Sequence, residues 1–283
     1  MRIIESIPEM QQAADGWRCE GKTIALVPTM GYLHEGHLEL MRAVRTRADV
    51  LVVSIFVNPA QFGPAEDFER YPRDLDRDVR MATETGADIA FVPPVNEMYP
   101  EGYQTFVDVT EVTAPLCGRS RPVFFRGVAT VVAKLFAIVK PHIAIFGEKD
   151  FQQLVTIRRM VQDLNLDVEI IGHPTVRETG GLAMSSRNAY LSPEQRQKAL
   201  RLNRSLREAQ TLVQGGEKSV EAILKRVREV LAEGDDVRID YMQLCDPTTL
   251  NEVNRIAGPT LLALAVQVGV ARLIDNSILT PSM

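Results

Sequence analysis

Apolar runs of strand length, each with little polar alternation, constrain this chain more than any other feature. KTIALVPT (22–29), VLVVSIFV (50–57), ADIAFVP (87–93), HIAIF (142–146) and DVEII (167–171) recur through its first two-thirds, with TFVDV (105–109) as a shorter candidate. Helix-like segments alternate with them at 31–48, 74–85, 127–140 and 150–164, and Pro141 stops the third. A half-exposed antiparallel sheet would carry polar residues at every second position, whereas strands covered on both faces by helices do not. The expected fold is therefore α/β, a doubly wound, Rossmann-like parallel sheet.

The pattern changes after about residue 185. Ser192-Pro193-Glu194 opens a helix, with Ser as N-cap, Pro at the first helical position and acid in the first turn. Two charged amphipathic helices follow at about 193–214 and 217–233, split by Gly215-Gly216. VRIDYMQLC (237–245), PTLLALAVQVG (259–269) and ARLIDN (271–276) are strand candidates, punctuated by Asp246-Pro247 and Gly258-Pro259. This predicts a smaller C-terminal α+β domain with antiparallel strands. The expected division is 1–185 and 186–283.

Charge narrows the function classes. Lys and Arg total 32 against 37 for Asp and Glu, a net charge of −5, which argues against a nucleic-acid partner but not against local binding of a small anion. Cys19, Cys117 and Cys245 lie far apart without C-x-x-C spacing, which favours a reducing compartment. Glu5, Glu9 and Asp15 interrupt the N-terminus where a secretory signal needs an apolar core, and no run approaches the ~20 residues that span a bilayer. A soluble cytoplasmic protein with no membrane partner is expected.

The chemistry concentrates in three stretches. In Pro28-Thr29-Met30-Gly31-Tyr32-Leu33-His34-Glu35-Gly36-His37 a strand runs into a glycine-bearing turn and then a helix. Ligands of open α/β sheets bind outside the carboxyl ends of the strands, where a helix N-terminus offers unpaired N–H groups to phosphate. Gly31 and Gly36 permit close approach, and His34 and His37 can donate to phosphate oxygens and stabilise developing charge. A metal pair is one alternative for His-x-x-His, but no third ligand stands nearby and zinc needs three or four; a capped helix-end residue is the other. Phe146-Gly147-Glu148-Lys149-Asp150 also follows a strand; Lys149 offers a point charge, while Asp150 suits a helix N-cap. Met184-Ser185-Ser186-Arg187-Asn188 reads equally as a clamp for polyphosphate and as a polar interdomain loop.

Together these stretches resemble the nucleotidylyltransferase superfamily, with His34-Glu35-Gly36-His37 as its His-x-Gly-His signature and Met184-Ser185-Ser186-Arg187 as its Met-Ser-Lys/Ser-type loop. LVPTMGYLHEGH, VVSIFVNPAQF, RYPRDLDRD, FRGVATVVAKLF, FGEKDFQQL and GLAMSSRNAYL are similar, in order, to the pantothenate synthetase (pantoate–β-alanine ligase) family, and the likeness continues to ARLIDN. That resemblance implies ligation of pantoate and β-alanine through a pantoyl adenylate, with ATP and Mg²⁺, in a cytoplasmic homodimer. It makes 1–185 the nucleotide- and pantoate-binding domain and 186–283 a lid.

Carried over residue by residue, the resemblance implies that Met30, Gly31, Tyr32, Leu33, His34, Glu35, Gly36 and His37 form the first wall of the ATP site. His34 and His37 would contact phosphates, with His37 as the acid, and Gln61 and Gln153 would hold pantoate. Gly147, Glu148, Lys149 and Asp150 would hold ribose and phosphates, Val176 would line the adenine pocket, and Met184, Ser185, Ser186 and Arg187 would close over the triphosphate. His37, His34, Lys149 and Arg187 are thus the catalytic set. Asn58 and Arg121 are further contacts to phosphate or amine. Asp76 and Asp78 are candidate Mg²⁺ ligands, although acids two apart on a helix point to different sides and a solvated face accounts for at least one. The chain departs from the family pattern at Phe124, where relatives carry His, and at Cys117, where some carry Glu. A dinucleotide-forming nucleotidylyltransferase would need more basic residues around its acceptor than Gln61 and Gln153 supply, and a turnover-free nucleotide sensor would lack His37 or Lys149.

Overall fold

The computed structural model describes residues 1–63, 68–233 and 237–282. In chain order the elements are β1 (Arg2–Ile4), α1 (Ile7–Cys19), β2 (Ile24–Thr29), α2 (Glu35–Arg45), β3 (Val50–Ile55), α3 (Leu75–Glu84), β4 (Ile89–Phe91), α4 (Val95–Met98), α5 (Cys117–Ser120), α6 (Phe124–Val139), β5 (Ile143–Gly147), α7 (Phe151–Asp163) and β6 (Glu169–His173). There follow α8 (Pro193–Gln214), α9 (Val220–Leu231), β7 (Val237–Cys245), β8 (Thr260–Val268) and β9 (Ala271–Leu279).

By internal contacts the chain forms two units. One comprises Met1–Thr110, Arg121–Glu148 and Gln153–Pro174; the other comprises Glu111–Ser120, Lys149–Gln152 and Thr175–Met283. The 185/186 division drawn from sequence falls inside the second unit.

The first unit is the doubly wound α/β sheet that the apolar runs predict. Six parallel strands lie in the order β1-β4-β3-β2-β5-β6. Alternate residues of each strand feed two cores: Ile24, Leu26, Val50 and Val52 pack with α1, α6 and α7, whereas Ala25, Val27, Leu51 and Val53 pack with α2 and α3. Each fully buried Leu or Ile contributes about 2 kcal/mol of transfer free energy. The strand order reverses direction at β2, whose neighbours are β3 and β5. Pairing with β3 runs through Thr29, but pairing with β5 involves only Ala25 and Leu26. Pro28 has no N–H to contribute, so the ladder to β5 stops short of the carboxyl ends, at the switch point where such sheets take ligands.

The second unit carries the antiparallel sheet β7-β8-β9, packed on α8 and α9 through Leu202, Leu206, Ile223, Val227, Leu262 and Leu264. α8 starts at the predicted residue because Ser192 and Gln195 form a reciprocal capping box ahead of Pro193.

Three expectations are corrected. TFVDV forms no strand: Val107 donates its N–H to Thr130 Oγ1 of α6 at 2.9 Å instead of joining a ladder, and Phe106 is exposed. The helix expected from residue 31 begins at Glu35, because Gly31 and Tyr32 adopt left-handed φ values of 79° and 49°. β1 and α1 were not anticipated; three residues are too few for a periodicity, and β1 is identified only by its pairing with β4. No described helix is long and apolar enough to cross a membrane.

Candidate active site

The loop after β2 is braced from two sides. Thr29 Oγ1 donates to Ser54 O at 2.7 Å and accepts from Gly31 N at 3.2 Å. From α3, Asp78 accepts from Tyr32 N through Oδ2 and from Leu33 N through Oδ1, both at 2.7 Å. These bonds hold the left-handed turn, and a Cβ at Gly31 would stand 3.0 Å from both Asp78 Oδ2 and Ile55 Cγ2. Burial pushes the Asp78 carboxyl above its ordinary range, opposed by the Leu33 and Tyr32 N–H groups and by Arg77. Asp78 therefore acts on the loop, with both oxygens already accepting, while Asp76 is exposed. The pair does not fit a metal clamp. Among the described residues there is no group of three or more His, Cys, Asp or Glu that could hold a metal.

The turn delivers the chain to His34, the extended N-cap of α2. The His37 ring reaches back, its Nδ1 accepting from His34 N at 3.3 Å, and the two rings stack with centroids 4.1 Å apart. With Nδ1 accepting, the proton of neutral His37 resides on Nε2, which makes Nε2–H the outward donor. His34 O takes the N–H groups of His37 and Leu38 at 2.8 and 3.3 Å, so Glu35 and Gly36 keep the orphan N–H groups of the helix start. The side chains of Leu33 and Glu35 are turned to other work: Leu33 is fully buried in the α2–α3 core, and Glu35 pairs with Arg42. Two imidazoles, two free amides and a helix dipole meet at one point, an arrangement suited to an anion.

A second cluster in the same unit surrounds the turn after β3. Asn58 and Gln61 are buried, and Gln61 Nε2 lies 2.8 Å from Met30 Sδ at the start of the braced loop. Asn58 Nδ2 donates to Gln61 Oε1 and to Gly127 O, both at 3.1 Å. Arg121 donates to Gln61 O at 3.1 Å and lays its guanidinium 3.8 Å from the Phe124 ring centre. Phe124, one of the two departures, thus holds Arg121 by stacking where an imidazole would bring a donor.

In the second unit, Lys149 Nζ is 3.2 Å from Asp150 Oδ2, and Lys149 O accepts from Asn276 Nδ2 at 2.9 Å. Gln152 pins the 111–120 segment: it accepts from Cys117 N at 3.1 Å and donates to Val112 O and Pro115 O at 3.0 and 2.8 Å. Cys117, the other departure, is buried in that segment and takes part through its backbone N–H. Val176 and Met184 face each other across a hairpin closed by Met184 N to Val176 O at 2.9 Å. Ser185 caps the following turn, accepting from Arg187 N at 3.3 Å. Arg177 grips Asp275 with two bonds of 2.7 and 2.9 Å, and Glu178 pairs with Arg196 and accepts from Asn188 Nδ2 at 2.9 Å.

The first unit thus brings Met30, His34, His37, Asn58, Gln61 and Arg121 into one contact network or its adjoining loop, and the second groups Val176 with Met184, Ser185 and Arg187. Gln153 is half-buried on α7, apart from the hydrogen bonds that tie the Gln61 cluster together. Sequence reasoning missed Tyr99, Thr29 and Asp275. It also read Asp78 as a metal ligand, although an acid four residues before Ala82 on the buried face of α3 was a signal for an internal role.

The Pantoate-beta-alanine ligase family model matches residues 2–278. The chain is 68% identical over 282 residues to the pantothenate synthetase of Syntrophobacter fumaroxidans, covering 100% of both chains. It is similar to the crystal structure of pantothenate synthetase from Thermus thermophilus, with TM-score 0.94, 45% identity and coverage of 99% of this chain and 100% of that one. The pantoate-beta-alanine ligase of Francisella tularensis, whose crystal structure is a complex with beta-gamma ATP and beta-alanine, matches with TM-score 0.82 and 32% identity over 98% and 97% of the two chains. The chain belongs to the pantoate–β-alanine ligase family.

Proposed function

We propose that this chain joins pantoate to β-alanine with ATP, through a pantoyl adenylate. One pantoate carboxylate oxygen attacks the α-phosphorus, a P–O bond breaks and pyrophosphate leaves. The β-alanine amine then attacks the acyl carbon, loses its proton to solvent, and AMP departs with the C–O electron pair. The observation that carries this reading is the Gln61–Met30 contact. It sets an amide suited to a hydroxy acid against the first residue of the phosphate-binding loop, where a carboxylate must meet an α-phosphoryl group.

In this reading Nε2–H of His37 and the ring of His34 donate to phosphate oxygens as charge develops, assisted by the Glu35 and Gly36 amides. Gln61 and Gln153 hold pantoate. Gly147, Glu148, Lys149 and Asp150 take ribose and phosphates, Val176 takes adenine, and Met184, Ser185, Ser186 and Arg187 cover the triphosphate. Arg121 contacts phosphate or amine. Magnesium enters as part of MgATP, and Asp78 is assigned to the loop it braces, not to the metal. The 186–283 segment serves as a lid, and the active species is a cytoplasmic homodimer, to be checked by light scattering.

The test is isotopic. Pantoate labelled with ¹⁸O in its carboxylate should transfer one label to AMP; AMP free of label would overturn the adenylate route.

A further inference from the structure

We propose that Tyr99 and Asn58 are positioning residues that lock the Gln61 amide with its NH₂ group, and not its carbonyl, presented to the substrate; the substrate's identity rests on the ligase reading above.

The lock starts from backbone atoms whose polarity is not negotiable. Asn58 bridges Ala60 N, which can only donate, and Gly127 O, which can only accept. Its Oδ1 lies 3.2 Å from the first and its Nδ2 3.1 Å from the second. The reverse orientation would set donor against donor and acceptor against acceptor, leaving both buried groups unsatisfied. With Asn58 so fixed, the remaining Nδ2 hydrogen goes to Gln61 Oε1 at 3.1 Å. The carbonyl of Gln61 is thus turned to Asn58, and its Nε2 points to Met30 Sδ. A thioether is a weak acceptor, so a ligand oxygen replaces it with gain. The pantoate atom that meets Gln61 is therefore an acceptor, a carboxylate or hydroxyl oxygen.

Tyr99 completes the lock. Its hydroxyl donates to Asn58 Oδ1 at 2.8 Å, which exhausts the hydrogen-bonding capacity of the Asn58 side chain and leaves it none for a ligand. Burial pushes the pKa of the Tyr99 phenol well above the usual range, keeping it a donor. Its ring is set edge-on to Tyr103 at 5.0 Å, and Lys134 Nζ sits 4.8 Å from the Tyr103 ring centre. Gly127 lets α6 approach: a Cβ there would fall 2.1 Å from Ala60 O.

The test is a double-mutant cycle on the full chain, read by pantoate-dependent pyrophosphate release. Tyr99→Phe, which removes one oxygen and keeps the ring, should raise the KM for pantoate about three- to tenfold, the size of one hydrogen bond, and leave kcat and the KM for ATP nearly unchanged. In a Gln61→Ala background the same change should have no further effect, because its only route to substrate is gone. An unchanged pantoate KM in the single variant, or an equal rise in both backgrounds, would overturn the proposal. If the unaltered protein releases no pyrophosphate with pantoate, the ligase reading fails by itself. The lock is then judged from the side-chain ¹⁵N–¹H resonances of Gln61, assigned by their loss in Gln61→Ala: a shift in Tyr99→Phe supports it, and their persistence unmoved overturns it.

Discussion

The two signature loops are held by different means. The loop at 29–37 hangs on the Thr29 hydroxyl and the Asp78 carboxylate, the latter 1% exposed and hydrogen-bonded to backbone N–H groups of the turn it shapes. The hairpin at 176–188 adds ion pairs between side chains, Arg177 with Asp275 and Glu178 with Arg196, to the bonds that Arg177 and Asn188 donate to its own carbonyls at Gly181 and Ala183. A carboxylate that accepts two consecutive amides fixes the backbone of the turn directly, whereas a guanidinium–carboxylate pair fixes one side chain against another. The difference teaches where preorganisation is concentrated: in the loop that carries His34 and His37, the residues proposed to meet developing charge.

The sharpest way to break the comparison is at the chemistry itself. His37→Ala should slow adenylate formation by about 10²–10³-fold, the scale of losing an oxyanion-hole donor, and lower the melting temperature only by what one lost capping bond costs, about 1 kcal/mol; single-turnover kinetics at wild-type rate would remove His37 from the catalytic set. Next comes the buried end of the second loop's pairing. Asp275 is 1% and Arg177 26% exposed, so Asp275→Ala should cost about 3 kcal/mol by stranding the guanidinium, and urea unfolding followed in the second unit should report it. Asp78→Asn keeps the shape but sets an NH₂ against a backbone N–H. It should remove about 2 kcal/mol from the turn and lower the adenylation rate about 30-fold, while substrate KM values change little. A full-rate Asp78→Asn variant would mean that the turn stands without its brace. The smallest effect is expected at Arg196, 38% exposed beside Glu178 at 29%. Arg196→Ala should cost under about 1 kcal/mol, and added salt should mimic it, since exposed pairs are screened; salt should leave the Asp78 brace untouched.

Legibility in the sequence followed the range of the interactions. The start of α8 was readable because Ser192, Pro193 and Glu194 are consecutive, and the sheet strands because each carries its own apolar run. The TFVDV run misled because β-branched composition says nothing about whether a partner strand exists. The left-handed turn at Tyr32 was invisible, since its cause is Asp78, 46 residues away. Tyr99 was hidden likewise: it acts on Asn58 across 41 residues, and only the folded chain shows which amide atom is left for a ligand. Asp78 is instructive because its position on the apolar face of α3 was in view, yet a pair of acids suggested a metal.

The central claim is that the braced loop and Gln61 together activate a carboxylate. It is tested most directly by rapid-quench measurement of pyrophosphate from MgATP and pantoate with every amine withheld. The account predicts a pantoate-dependent burst approaching one pyrophosphate per active site, absent without pantoate. No pyrophosphate from pantoate, with or without added β-alanine, would contradict it.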